Sequence, residues 1–269
     1  LVGSEMCIRD SFMMGMGVFG QGFVGKLAFP SANVSDRLEK TFTSVNFNMM
    51  IMVIYALITI AIFGMWYYAR YEGNFLPSPK KTFNPMMIVA IVILVPGTQF
   101  AANFIANLTG YIRPDWLQQY NELFETSGIT DTTFVTVLYS VILAPICEEL
   151  IFRGVTMRCA RKALPFALAN LMQAALFGLF HLNWIQGIYA FALGIVLGYV
   201  CERGGSIYYS MGLHLLFNLW GTLSGFFPDP GNSVVVFVIV IAVTIVSLVV
   251  GFVLFNKGRR KLPINSTGI

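Results

Sequence analysis

The stretch SVVVFVIVIAVTIVSLVVGFVLF, residues 233–255, contains no Asp, Glu, Lys or Arg. About 20 such residues in a helix cross the roughly 30 Å of hydrocarbon in a bilayer. A helix that is apolar on every side is either buried in a large core or immersed in lipid. The rest of the chain decides between the two. Of its 269 residues, 57% are apolar or aromatic and only 11% are charged, and the mean hydropathy is +0.72. A soluble domain carries about 25% charged residues, so too few remain here to clothe a globule in water. An ordinary soluble enzyme, a nucleic-acid binder and a disordered chain are excluded. Residues 233–255 therefore read as one span of a polytopic membrane protein whose surroundings are the lipid bilayer.

Working outward, further windows of membrane-crossing length are 12–29 (Gly- and Met-rich), 47–68, 85–107, 132–152, 165–182, 184–201 and 206–227. No alternating ten-residue segments of the barrel type recur. The expected fold is all-α, a polytopic transmembrane bundle of about eight helices. With eight spans, the loops on one side hold twelve Lys and Arg, from Arg70 and Lys80 through Arg158, Arg161 and Lys162 to Arg203 and Lys257–Lys261, against four on the other. The positive-inside rule then puts both termini in the cytoplasm. Tyr111–Asp131 is too polar to cross. Pro114 can start a helix there, and Trp116, Leu117, Tyr120, Leu123 and Phe124 share one helical face. An interfacial helix and a loop laid on the bundle are the two readings. Cys7, Cys147, Cys159 and Cys201 show no paired spacing and read as free thiols, mostly in apolar segments. Residues 1–11 lack an initiator Met, differ in style from the rest of the chain and read as non-native, adapter-like sequence.

A charge inside a bilayer costs at least about 2.5–3.5 kcal/mol, so each one is a functional hypothesis. The fourth apolar segment contains Ala144-Pro145-Ile146-Cys147-Glu148-Glu149-Leu150-Ile151-Phe152-Arg153-Gly154. Glu149 and Arg153 stand i,i+4 with the acid first, the favourable order for a helical ion pair. Glu148 points about 100° away. The bland reading has Glu148-Glu149 merely ending a span. Two histidines weigh against it: His181, four residues after Phe177, and His214, four before Asn218, each in an apolar segment. Glu149 and His181 both lie about 16 residues from the Leu164-Pro165 turn, roughly 24 Å along their helices at 1.5 Å per residue. An antiparallel hairpin therefore brings them level, and His214 and Asn218 reach the same depth from the Gly204-Gly205 turn.

Glu-Glu-x-x-x-Arg, Phe-x-x-x-His and His-x-x-x-Asn, in that order on successive helices, resemble the CAAX-protease and bacteriocin-processing (CPBP, or Abi) family of intramembrane endopeptidases. The resemblance covers roughly residues 130–225. It implies a membrane peptidase with a site open to the cytoplasm, acting on a protein or peptide substrate at the membrane. Carried over, Glu148 is the base that activates water, and Arg153 holds the Glu148-Glu149 pair. His181 helps bind the water or a metal, while His214 and Asn218 complete the site. Two imidazoles and a carboxylate (His181, His214, Glu148) can also form a three-ligand catalytic Zn²⁺ site. Zn²⁺ and a metal-free Glu/His-activated water both stay open.

The implied organisation is adapter-like sequence at 1–11, N-terminal transmembrane helices and an interfacial segment at 12–131, a catalytic core at 132–227, and a final span with a basic tail at 228–269. The expected location is a bacterial plasma membrane, multi-pass, with both termini cytoplasmic. No nucleic-acid partner is expected. Two other classes compete: a non-catalytic immunity or scaffold protein, and a proton-coupled transporter, which predicts inverted repeats that the sequence lacks.

Overall fold

A computed structural model describes residues 45–69, 83–127, 133–224 and 233–259. The window 12–29, the segment 1–11, Cys7, and the loop charges at 26–40, 70–81, 131, 229 and 260–261 lie outside the described residues. So does the side chain of Phe124. Among the described residues there are eight helices and no strands. They are α1 (Val45–Tyr67), α2 (Pro85–Ile112), α3 (Pro114–Ser127), α4 (Phe134–Arg161), α5 (Phe166–Phe180), α6 (Trp184–Gly204), α7 (Ile207–Ser224) and α8 (Val234–Arg259). Helices α2, α4, α6 and α8 are long and apolar enough to cross a membrane; Ile51–Tyr67 of α1 and all of α5 are shorter apolar helices.

Helix α8 lies antiparallel along α2, and small residues set their approach. A side chain added at Gly251 would meet Leu94 at 2.6 Å, and one at Gly258 would meet Met87 at 2.6 Å. Small residues at such contacts let helix backbones close up where lipid supplies no hydrophobic drive. Pro96 interrupts α2, and Ser247 of α8 repairs the ladder beside it. The Gly97 N–H donates to Ser247 Oγ at 2.8 Å, and that hydroxyl donates in turn to the Ile93 carbonyl, the acceptor Gly97 would otherwise use. A polar group thus keeps the backbone satisfied inside an apolar layer. At the end of the pair, Asn84 caps α2, donates from Nδ2 to the Gly258 carbonyl at 2.9 Å, and receives the Tyr209 hydroxyl bond at its N–H. The tyrosine oxygen is the acceptor there.

Helices α5 and α6 form a close hairpin for the same steric reason. Gly178 faces the Gly187 carbonyl and Gly194 faces Ala174, with no room for larger side chains. The Pro114–Ser127 segment is a helix laid on the bundle against α2 and the start of α6. Trp116 stacks on Trp184 with centroids 5.3 Å apart, and Arg113 lies 4.2 Å over the Trp116 ring. Arg113 also pairs with Asp115, whose carboxyl its hydrogen bond holds below the usual range. This pair is exposed and adds little stability.

Helix α4 departs from the plain α-helix the sequence suggests. Leu138–Leu143 and Leu150–Met157 are wound with i→i+5, π-type turns. The Ala144 N–H reaches back five residues to the Tyr139 carbonyl, passing over Ser140. The next residue, Pro145, has no N–H with which to serve Ser140. Asn218 of α7 fills the gap, donating from Nδ2 to the Ser140 carbonyl at 2.8 Å. One buried cluster surrounds α4 with Phe63, Tyr67, Phe177 and Ile207; a second joins α2, α6, α7 and Phe255. The charged and imidazole groups of α4 and α7 sit between these two apolar layers.

Candidate active site

Glu149 and Arg153 are both 0% exposed. The expected i,i+4 pair is made: Arg153 Nη1 donates to Glu149 Oε1 at 2.8 Å. The guanidinium also donates from Nη2 to the Gly194 carbonyl at 3.2 Å and lies 4.5 Å from the Phe177 ring centroid. Two charges can stay in such a place because each neutralises the other and further hydrogen bonds support them, although Glu149 Oε2 and Arg153 Nε have no hydrogen-bond partner among the described residues. Arg153 was expected to hold both glutamates; its hydrogen bonds reach Glu149 and the Gly194 carbonyl. Glu148 is turned by one residue along α4, and its side chain keeps 15% exposure.

Helix α7 presents Ser210, His214 and Asn218 at successive i,i+4 steps on the face towards α4. His214 Nδ1 lies 3.0 Å from Glu149 Oε1 and its Nε2 lies 3.6 Å from Glu148 Oε2. A carboxylate oxygen can only accept, so Nδ1 carries a proton, and in the neutral imidazole Nε2 then keeps its lone pair facing Glu148. Glu149 therefore fixes both the tautomer and the direction of His214. The 3.6 Å gap is too long for a hydrogen bond, yet close enough for one water or cation beside the line to touch both atoms.

His181 ends α5, at the turn into α6, not within the helix. Its Nδ1 donates to the Phe177 carbonyl at 2.8 Å, which again leaves Nε2 with the lone pair. Phe177 meets both imidazoles edge-on, with centroids 5.0 Å from His181 and 5.7 Å from His214. The next residue, Leu182, has φ of 53°, a left-handed conformation that costs a branched residue about 1–2 kcal/mol. Asn183 then caps α6 by accepting from the Gln186 N–H. A sharp turn so close to His181 aims the imidazole back into the bundle.

Asn218, expected to complete the site, donates from Nδ2 to the Ser140 carbonyl, and so fixes the π-type turn of α4 two turns from Glu148. Gln173 and Asn170 were missed. Gln173 Nε2 donates to the Gly194 carbonyl at 2.9 Å, the acceptor that Arg153 also uses, and to Asn170 Oδ1 at 2.7 Å; Asn170 donates to the Ile195 carbonyl at 3.0 Å. A continuous polar chain thus runs from α5 through α6 to Arg153, Glu149 and His214. Asn170 and Gln173 are the only amide side chains in the 165–182 window, so counting amides as well as charges within apolar segments would have found them.

Beside Glu148 is a cavity of about 10 Å³, lined among others by Tyr55, Tyr139, Ala144, Cys147 and Phe180. That is room for about one water molecule. A much larger apolar groove, about 450 Å³, opens between α5, α6 and α8 along Phe166, Ile195, Tyr199 and Phe252; it holds none of the expected site residues.

For a metal, the donor chemistry fits: two imidazoles each keep Nε2 bare because Nδ1 is tied to an oxygen, the usual outer-shell arrangement around metal-binding histidine, and Glu148 supplies a carboxylate. Among the described residues, no three His, Cys, Asp or Glu side chains are drawn together closely enough to hold an ion.

Residues 130–220 match the model of a family described as type II CAAX prenyl endopeptidase Rce1-like. The matched third of the chain is α4 to α7, which carries Glu148, Glu149, Arg153, His181, His214 and Asn218. This agrees with the family resemblance of the motifs over that third of the chain, and the four long apolar helices are those of an integral membrane protein. No curated protein and no solved structure matches the chain.

Proposed function

We propose that the protein is an intramembrane endopeptidase that hydrolyses a peptide bond of a membrane-associated protein or peptide, in the manner of CAAX-prenyl proteases. The observation that carries this reading is His214 held between two carboxylates. A fully buried Glu149 fixes one ring nitrogen at 3.0 Å, and the other faces Glu148 across 3.6 Å. A purely structural ion pair needs Glu149 and Arg153 only. The second, accessible carboxylate opposite a bare imidazole nitrogen is the arrangement that activates water.

In this reading Glu148 accepts a proton from the water as its oxygen attacks the scissile carbonyl carbon. The tetrahedral intermediate collapses as the C–N bond breaks, and Glu148 returns the proton to the leaving amine. His214 Nε2 orients the water, with Glu149 and Arg153 fixing the ring; His181 Nε2 aims into the same region from the end of α5. Asn218 positions Glu148 through the turn of α4. If Zn²⁺ is the cofactor, His181, His214 and Glu148 would hold it and it would supply a polarised, more acidic water.

We read the end of the bundle with Arg158, Arg161, Lys162, Arg203 and Lys257 as cytoplasmic. Helix α4, 28 residues, is about 42 Å long, so about 12 Å exceeds the roughly 30 Å hydrocarbon. Glu148 then lies a short way below the cytoplasmic face, where a water-soluble end of a lipid-anchored peptide can reach it.

The test is cleavage of a peptide library, with farnesylated CAAX-type members and unmodified ones, by purified protein in lipid nanodiscs. Wild type should cleave library members, and Glu148→Ala and His214→Ala should not. Cleavage that survives both substitutions refutes the site. Loss of cleavage on chelation, with Zn²⁺ recovered at one equivalent by elemental analysis and activity restored by it, establishes the metal.

A further inference from the structure

Tyr139 sits nine residues before Glu148. In an unbroken α-helix, at about 100° per residue, it would stand about 180° away on the opposite face. The i→i+5 turn closed by the Ala144 N–H on the Tyr139 carbonyl changes this. Tyr139 and Ala144 become successive positions on one face, and Glu148 follows Ala144 by an ordinary i,i+4 step. All three residues line the same small cavity. The π-helix is rare, and its turns inside α-helices frequently lie at functional sites.

Two further facts single out this residue. The Tyr139 hydroxyl makes no hydrogen bond among the described residues, and the residue is partly exposed. A phenol has one O–H to donate, and here no protein group takes it, so it is open to an incoming oxygen. The cavity it lines, about 10 Å³, has the size of one oxygen atom with its hydrogens, and Glu148 forms another wall.

We infer that Tyr139 is a further catalytic residue, whose hydroxyl donates a hydrogen bond to the scissile carbonyl oxygen as it becomes the tetrahedral oxyanion. This rests on the endopeptidase reading above. The balance is simple. Water adds its oxygen to the carbonyl carbon, Glu148 takes the proton, and the C=O π electrons move onto the oxygen that Tyr139 stabilises without transferring its own proton. On collapse those electrons reform the carbonyl. The π-type turn that carries Tyr139 into place is the same one that Asn218 holds through Ser140, so the α7 amide also sets the position of this donor.

The test compares wild type, Tyr139→Phe and Glu148→Gln on the farnesylated CAAX-type peptide of the library, with a phosphinate version of that peptide as the tetrahedral mimic. Removing one oxyanion donor costs about 10²–10³ in kcat. Tyr139→Phe should therefore lower kcat about 100-fold with KM within about twofold, weaken the phosphinate by a similar factor, and leave the melting temperature unchanged. Tyr139→Phe with at least half of wild-type kcat, while Glu148→Gln is inactive, overturns the role of Tyr139 and leaves the endopeptidase reading standing. A loss of activity matched by a lowered melting temperature and unchanged relative phosphinate affinity also overturns it, in favour of a structural role. A wild type that cleaves nothing overturns both readings.

Discussion

Replacing Arg153 by Met keeps much of the side-chain volume and removes the charge. Glu149 would then be a fully buried carboxylate left with only the neighbouring His214 Nδ1 and Ser210 as polar partners among the described residues. The Gly194 carbonyl is not orphaned, because Gln173 still donates to it at 2.9 Å. The loss of the contact with Phe177 is worth about 0.5–2 kcal/mol. The unpaired charge dominates: removing one partner of a buried ion pair costs about 3–5 kcal/mol. Neutral hydrogen bonds between membrane helices average only about 0.6 kcal/mol, so the two cases are well separated. Glu149→Met should cost a similar amount by leaving the guanidinium unpaired. The double variant Glu149→Met/Arg153→Met removes both charges and should unfold closer to wild type than either single, with a coupling of about 3 kcal/mol. It should stay inactive, because nothing then fixes His214. Equilibrium unfolding in mixed micelles can be followed by thiol-dye labelling of the buried Cys147, Cys159 and Cys201, in a Cys7→Ser background. Additive single effects, with coupling below about 0.5 kcal/mol, would refute the description of Glu149 and Arg153 as one electrostatic unit.

Three other outcomes rest on the same geometry. Gly198→Ala would place a methyl 1.9 Å from Asn170 Oδ1 and 2.7 Å from Gln173 Nε2; it should destabilise by about 1–3 kcal/mol and lower activity through the Gln173–Gly194–Arg153 chain, read by the same labelling assay and by peptide cleavage. Asn218→Leu leaves the Ser140 carbonyl without its donor, costing about 1–3 kcal/mol, and should lower kcat more than it changes KM. Leu182→Gly relieves a left-handed residue at 53° and should leave the melting temperature equal to or above that of wild type; a clear fall would mean that the Leu182 side chain carries a contact of its own.

Much of this was legible in the sequence because charge is scarce in an apolar chain. Glu149, Arg153 and His214 stand out against their windows, and the i,i+4 rule places the first two together correctly. The same counting marked seven windows that are helices here. Three things were not legible. The π-type turns of α4 arise from hydrogen bonds that skip a residue near Pro145, and a 3.6-residue period carries no trace of the shift; on that period Tyr139 falls on the face opposite Glu148. Gln173 and Asn170 were passed over because neutral amides did not register in a count of charges. The role of Asn218 depends on which carbonyl of α4 lacks a donor, which only the fold of that helix determines.

The central claim is that Glu148, facing the Glu149-oriented His214, activates water for peptide hydrolysis. Its most direct test is the single-turnover rate of Glu148→Gln against wild type on the farnesylated peptide in nanodiscs. Glu148 makes no buried ion pair with Arg153, so the variant should melt as wild type does. Its cleavage rate should fall by about 10³-fold, within the range expected for loss of a general base. A folded Glu148→Gln protein that cleaves at the wild-type rate would contradict the account.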